Sequence, residues 1–349
     1  MTIPPPAATV GPPRRRWTPR RPSTRAIIIL AVIAAIVVIA LIATLGIVIT
    51  QGVFRMTAQP PAVGTVVIAP EQSKAVQALD HIDMDADATA ATQYLGAQPT
   101  AYWLTPEQDP IGTVGGTVVS LVSQARDQRK AAAMVVYGLP DRDCGNHSAG
   151  GLSSEDYPTW VAEIGAALRT APDVQKIVVL EPDSIALASE CGDISARAGY
   201  LSAAVDALSG TGTWIYIDGG HSSWHSPDDM ASLIRQMGII DRVRGVATNV
   251  SNYQSTYDEF AYAHALSDRL GGTHAIIDTS RNGVASAGST WCNPPGQRVG
   301  DAGGTFGDDV VDTNVWIKPP GESDGTCNGG PAAGHWWPEG AEELTRDVR

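Results

Sequence analysis

At 349 residues the chain is long enough for one large domain or two ordinary ones, and it can bury a substantial core. Its charge is unevenly spread: residues 1–55 hold seven arginines and no acid, which leaves 17 of the 24 basic groups against all 37 acids in residues 56–349, a net of −20. A surface of that sign excludes nucleic acid as a partner and disfavours anionic surfaces, while a neutral substrate meets no such barrier.

The N-terminal 25 residues are Pro-rich and carry Arg14, Arg15, Arg16, Arg20, Arg21 and Arg25. Ala26–Thr50 then runs without a charge. That stretch exceeds the 7–15 apolar residues of a secretory signal and matches the ~20 needed to cross a bilayer. No A-x-A site closes it, and the preceding arginines belong on the cytoplasmic side. The expected organisation is a basic cytoplasmic tail (1–25), a single-pass signal-anchor (26–50), a linker (51–75) and an outward-facing domain (76–349). A long cleaved signal, giving a secreted protein, is the alternative; a buried core helix fits poorly with such flanks. The four cysteines, Cys144, Cys191, Cys292 and Cys327, all lie in the outward part. Their even number in an oxidising compartment predicts two disulfides, with three possible pairings.

Seven short apolar runs read as strands: AYWL (101–104), MVVYGL (134–139), KIVVLE (176–181), WIYID (214–218), GVATNV (245–250), HAIIDT (274–279) and NVWIKP (314–319). Helix-like stretches at 160–170, 196–210, 228–238 and 258–270 alternate with them. Strands that are apolar throughout and alternate with helices predict a parallel sheet covered by helices. Seven such units fit an α/β fold of the β/α-barrel type. A barrel gathers its functional residues at the C-terminal strand ends, and there the polar residues of this sequence fall. Asp141, Arg142 and Asp143 follow the second run, and Glu181 and Asp183 the third. Asp218, His221 and Trp224 follow the fourth, Asn249 and Asn252 the fifth, Asp278 and Arg281 the sixth, and Lys318, Glu322 and Asp324 the seventh. With Cys144 and Cys191 after strands two and three, and Cys292 and Cys327 after six and seven, that order predicts the pairs Cys144–Cys191 and Cys292–Cys327.

The seven histidines are too few and too badly spaced for a metal centre. There is no GxSxG elbow, and GTVGG (112–116) lacks the strand context of a phosphate loop. No cofactor is expected. What remains is a set of carboxylates with aromatic neighbours, Trp103, Tyr137, Trp224 and Trp291. Carboxyls in unequal environments perform acid/base chemistry, and tryptophans beside them suit the apolar faces of sugar rings.

VVYGLPDRDCG, VVLEPDSIA, YIDGGHSSW, GVATNVSNY, IIDTSRNG, WCNPPGQRVG and VDTNVWIKPPGESDG together resemble the ordered motif series of glycoside hydrolase family 6, the inverting endo-β-1,4-glucanases and cellobiohydrolases. The resemblance implies a distorted seven-stranded parallel β/α barrel and a β-1,4-glucan as partner; a monomer is expected. It implies that Asp183 is the proton-donating acid and that Asp143 raises its pKa and positions water. Asp324 is then the base, in competition with a water relay through Asp143 and Ser148, and Tyr137 distorts the reacting sugar. Asp218, His221, Arg281, Lys318 and Glu322 would hold the site or the sugar, with Asn249 and Asn252 beside them; Trp103, Trp224 and Trp291 would be platforms. The stretches after Cys144 and after Asp324 are short, where chain-end-attacking members carry roofing loops, so the expected mode is internal attack in an open cleft. The alternatives are a cellobiohydrolase, a surface glucan-binding protein without turnover, or activity on another envelope glucan.

Overall fold

The computed structural model describes residues 23–145, 150–284 and 288–348. Two compact units divide the chain, one ending at Gly52 and one running from Val53 to the C-terminus. The first is carried by helix α1 (Thr24–Thr57). From Ile28 on, this helix is long and apolar enough to cross a membrane, and its side chains lie exposed, Leu30 by 62 % and Ile39 by 66 %. A helix apolar on every face cannot satisfy itself in water.

The second unit is built on seven parallel strands in sequential order, β1 (Tyr102–Leu104), β2 (Ala132–Val136), β3 (Lys176–Leu180), β4 (Thr213–Asp218), β5 (Gly245–Thr248), β6 (His274–Asp278) and β7 (Val311–Val315). The sheet curls until its edges meet. There Ala101 N–H donates to the Trp316 carbonyl at 2.8 Å and the Trp103 indole to that of Ile317 at 2.8 Å. Because side chains alternate along a strand, the barrel has two cores. Val135, Ile177, Val179, Tyr216, Ala247 and Ile276 fill its interior. Met134, Val136, Val178, Leu180, Ile217 and Ile277 pack outward against the helices.

Between the strands run α4 (Val114–Gln128), α5 (Asp156–Leu168), the single turn α6 (Ala188–Cys191), α7 (Ile194–Leu208), α8 (Pro227–Met237) and α9 (Thr256–Leu270). Ahead of the barrel lie α2 (Lys74–His81) and α3 (Ala86–Gly96), and α10 (Pro338–Thr345) closes the chain. Serines at 226 and 255 cap α8 and α9, each accepting the N–H of the third helical residue. The GTVGG stretch opens α4, and its Gly112 and Gly115 N–H groups donate to the Glu163 carboxylate at 2.7 and 3.0 Å. A protein side chain thus fills the place where a phosphate would sit.

Two expectations shift. Residues 66–68, inside the stretch read as a linker, belong to the barrel: Val67 bridges Ala131, and Ile68 is fully buried. Strand β7 begins at Val311, paired with Ala275, rather than at Asn314, and ends at Val315, beyond which residues 317 and 318 give their N–H groups to the Asp278 carboxylate. Both disulfides form as the strand order requires, Cys144–Cys191 and Cys292–Cys327. Their loops of 47 and 35 residues each correspond to about 4 kcal/mol on a chain-entropy account.

Candidate active site

A cleft of about 1050 Å3 lies across the C-terminal ends of the strands. Asp143, Asp183 and Asp324 line it, as do Tyr137, His221, Asn252, Lys318 and Glu322, and the indoles of Trp103, Trp224 and Trp291. Three residues expected at the substrate are behind this wall. Asp218 is 2 % exposed, Asn249 fully buried and Arg281 2 % exposed. Ser148 lies outside the described residues.

The chain reaches the cleft through strained turns. Asp141, Asp143 and Cys144 after β2, and Glu181 and Asp183 after β3, all have positive φ between 49° and 66°. Left-handed backbone is uncommon for residues with a Cβ, and its clustering marks a functional site. Glu181 explains how the turns hold. Its buried carboxyl accepts N–H bonds from Gly138 and Leu139 at 3.0 Å, tying the β2 and β3 exits together. Residue 138 must be glycine, since a Cβ there would stand 2.8 Å from the Trp160 ring. Burial pushes Glu181 up to about 7. Fully buried, absent from the cleft lining and tied to these two amides, it is a support beneath Asp183.

Asp183 projects into the cleft. Its carboxyl is held well above the carboxylate range, first by burial, then by the nearby charges of Asp218, Asp143 and Asp324. Lys318 opposes this, but its own ammonium is pulled down by burial. Asp218 accepts the Asp183 N–H at 3.1 Å and is itself raised to about 7 by burial. The Tyr137 hydroxyl donates to Asp143 at 2.8 Å, and the Tyr137 ring meets Trp103 edge-on at 5.1 Å.

Asp324 is held very differently. Arg281 donates to both its oxygens at 2.8 and 3.0 Å, the Tyr253 hydroxyl donates at 2.6 Å, and Asn293 N–H donates at 3.1 Å. Arg281 also stacks over Tyr253 at 4.2 Å. Tyr253 and Asn293 were not singled out in the sequence, although they stand in the SNY and WCN motifs. Asp278 orders the same side, accepting N–H groups from Ser251, Ser280, Ile317 and Lys318.

On the opposite wall, Trp224 stands between His221 at 5.7 Å and His225 at 5.4 Å. Burial, helped by His225, pushes His221 down to about 4. Its Nδ1 accepts the Ser223 N–H at 3.3 Å, which leaves Nε2–H to donate. Glu259, fully buried on α9, holds this loop through the Ser222 N–H at 2.8 Å. Helix α2 adds Lys74, which reaches Glu322 at 3.5 Å; no motif points to it. Among the described residues no cluster of His, Cys, Asp and Glu fits a metal ion.

Curled parallel sheet, cleft at the strand ends and facing acids define a glycosidase-type barrel. A family model described as Glycosyl hydrolases family 6 matches residues 63–348, and the chain belongs to that family. It is 41 % identical over 261 residues to Endoglucanase A of Cellulomonas fimi, covering 74 % of this chain and 57 % of that protein. It is also 41 % identical to Endoglucanase 1 of Streptomyces sp. strain KSM-9, over 76 % of this chain and 74 % of that one. A probable 1,4-β-D-glucan cellobiohydrolase C of Aspergillus terreus is 32 % identical, over 62 % of this chain and 60 % of that protein. Among solved structures, the endoglucanase Cel6 of Mycobacterium tuberculosis, in complex with a methyl-cellobiosyl-thio-cellobioside, superposes with a TM-score of 0.75. The identity there is 33 %, over 83 % of this chain and 99 % of that one.

Proposed function

We propose that the protein is an inverting endo-β-1,4-glucanase, active on cellulose or a related β-glucan and using no cofactor. The observation that carries this reading is the contrast between two cleft carboxyls. Asp183 is pushed toward its protonated form by burial and neighbouring acids, while Asp324 is fixed by an arginine. Asp183 then protonates the glycosidic oxygen. Asp324, on β7's exit across the mouth from β3, leaves room for a water on the other face of the sugar, as inversion needs. Arg281, Tyr253 and Asn293 make four bonds to Asp324, three of them to Oδ2, which favours delivery of the water proton to Asp143 and makes Asp324 the fixed anchor of that side. Tyr137 presses on the reacting ring, Trp103, Trp224 and Trp291 form the sugar platforms, and His221, Asn252, Lys318 and Glu322 bond hydroxyls.

Internal attack is supported by the short stretches after Cys144 and Asp324, and by greater identity to the endoglucanases than to the cellobiohydrolases. Helix α1 serves as a single-pass anchor that holds the barrel outside the cell. Proton NMR of the first product tests inversion: α at the new reducing end is expected, and a β-anomer first would refute it. A rapid fall in the viscosity of carboxymethylcellulose relative to reducing ends supports internal attack; steady cellobiose release without that fall would favour the cellobiohydrolase reading. Azide should not rescue Asp324→Asn, and rescue with inverted product would make Asp324 the direct base.

A further inference from the structure

We propose that helix α2 and the loop ahead of α10 give the cleft a further glucosyl-binding position, beyond Trp103 and away from the acids. This rests on the reading of the cleft as a β-1,4-glucan site. Lys74, Gln77, Ala78 and His81 follow the i, i+3, i+4, i+7 spacing that puts side chains on one face of a helix. That face lines the cleft, together with Ile82 just past the helix end. The helix is held in place from behind. Ala75 and Ala78 join a small core with Leu95 and Trp336, and Ser73 caps the first turn through the Val76 N–H.

The sheet order fixes where this wall stands. Strands β1 and β7 are the edges that meet at the seam, so the β4 exit with Trp224 lies opposite, and the exits of β2 and β3, with Asp143 and Asp183, lie between. From Asp183 the contacts lead toward the seam. Its carboxyl feels the Lys318 ammonium, which stands 5.1 Å from the Trp103 ring centre and 3.6 Å from Glu322. Glu322 in turn lies 3.5 Å from Lys74. Lys74 is thus the far end of this line. A glucan attacked internally has to run past the acids in both directions, and Trp224 and α2 stand at the two ends of that path.

The chemistry at the α2 end suits a sugar. Lys74 donates to the Gly334 carbonyl at 2.7 Å and reaches Glu322 at 3.5 Å. An ammonium has three N–H groups, and the third is unused among the described residues. The facing loop is pinned to the β7 exit: Gly334 N–H donates to the Ser323 carbonyl at 2.8 Å, and Ser323 N–H to that of His335 at 2.9 Å. His335 Nδ1 stands 3.2 Å from the Ala332 carbonyl, so Nδ1 carries the proton and Nε2 accepts. Ile82, 38 % exposed, supplies an apolar patch for the C–H face of a ring. A few polar groups converging beside apolar surface in a cleft fix a small ligand. Donor and acceptor together match neutral hydroxyls, whereas an anion would meet the Glu322 carboxylate.

Cellohexaose labelled with heavy oxygen at its reducing end tests this, because product masses then report which bonds are cut. The ratio between bonds does not depend on how much of a variant is folded. His81→Ala with Ile82→Ser changes exposed side chains on the α2 wall, and Lys74→Met removes the ammonium. Both should shift the ratio between the most frequently cut bonds by about 10-fold, in the same direction, as loss of one hydrogen-bonded contact with the chain end predicts. Ratios equal to the native ones in the double variant would overturn the site. A shift confined to Lys74→Met would belong to Glu322 and would overturn it as well. Cellohexaose left intact by the native protein would overturn the glucan reading itself, and this site with it.

Discussion

At the C-terminal mouth of the barrel, Asp183 and Asp218 sit close to each other and to Asp143, whereas at the N-terminal floor Asp312 is gripped by arginine. The Arg244 guanidinium donates to both Asp312 oxygens at 2.6 and 2.8 Å, and the Tyr216 hydroxyl adds a third bond. Lys176 differs at the floor: its ammonium bonds only the carbonyls of Ala171 and Thr211 among the described residues, and burial lowers it to about 8. The same residue type thus takes two roles on one sheet. At the floor a charge is matched and serves structure; at the mouth burial, and then crowding by other carboxyls, raises Asp183. Within the mouth, Asp324 repeats the floor's arrangement through Arg281, while burial and neighbouring acids raise Asp183.

The largest expected effect lies at the crowded end. Asp183→Asn should slow turnover of unactivated glucan by about 10^3-fold, within the range for loss of a general acid. The rate on a substrate with a good leaving group should fall far less, and steady-state kinetics on both classes would check it. At the floor, Asp312→Ala strands Arg244 and should lower stability by about 3 kcal/mol, read from the urea midpoint. Turnover per folded molecule should remain at the native value, and a matching loss of activity would erase the distinction between the two ends.

The pH dependence of stability sharpens the same contrast. Glu181, Asp218 and Glu259 are each raised by burial to about 7, so the unfolded chain releases these protons first. Stability is then full below pH about 4 as far as these groups are concerned, and is lost as pH rises through about 7, by on the order of a few kcal/mol per group. Denaturant midpoints that rose between pH 5 and 7 would contradict it. The smallest effect is expected for Glu181→Gln. A neutral amide imitates the protonated acid, so stability at pH 7 should change by less than about 1 kcal/mol, while the pH slope flattens.

Much of this was legible in the sequence because a parallel barrel writes itself as apolar runs with polar exits. The strand order carried the disulfide pairing, since Cys144 and Cys191, and Cys292 and Cys327, follow adjacent strands. Less legible was depth. Asp218, Asn249 and Arg281 stand at strand exits like their neighbours, and alternation along a strand does not tell which side chains reach the cleft once the backbone turns left-handed. Tyr253 and Asn293 were hidden because their contacts with Asp324 join the exits of β5 and β6 to that of β7, distant in sequence. Glu259 sits in the middle of an ordinary helix pattern, and nothing local marks it as the support of the Trp224 loop. Residues 66–69, VVIA, form an apolar run as long as AYWL but lie in a stretch read as linker, and pairing with Ala131 fixes them in the barrel.

The protonation state of Asp183 tests the central claim most directly. Infrared difference spectra between the native protein and Asp183→Asn, recorded near pH 6, would isolate its carboxyl stretch. Loss of a protonated C=O band in the variant is the expected result. Loss of a carboxylate band alone would mean that Asp183 is already ionised there and is not the proton donor.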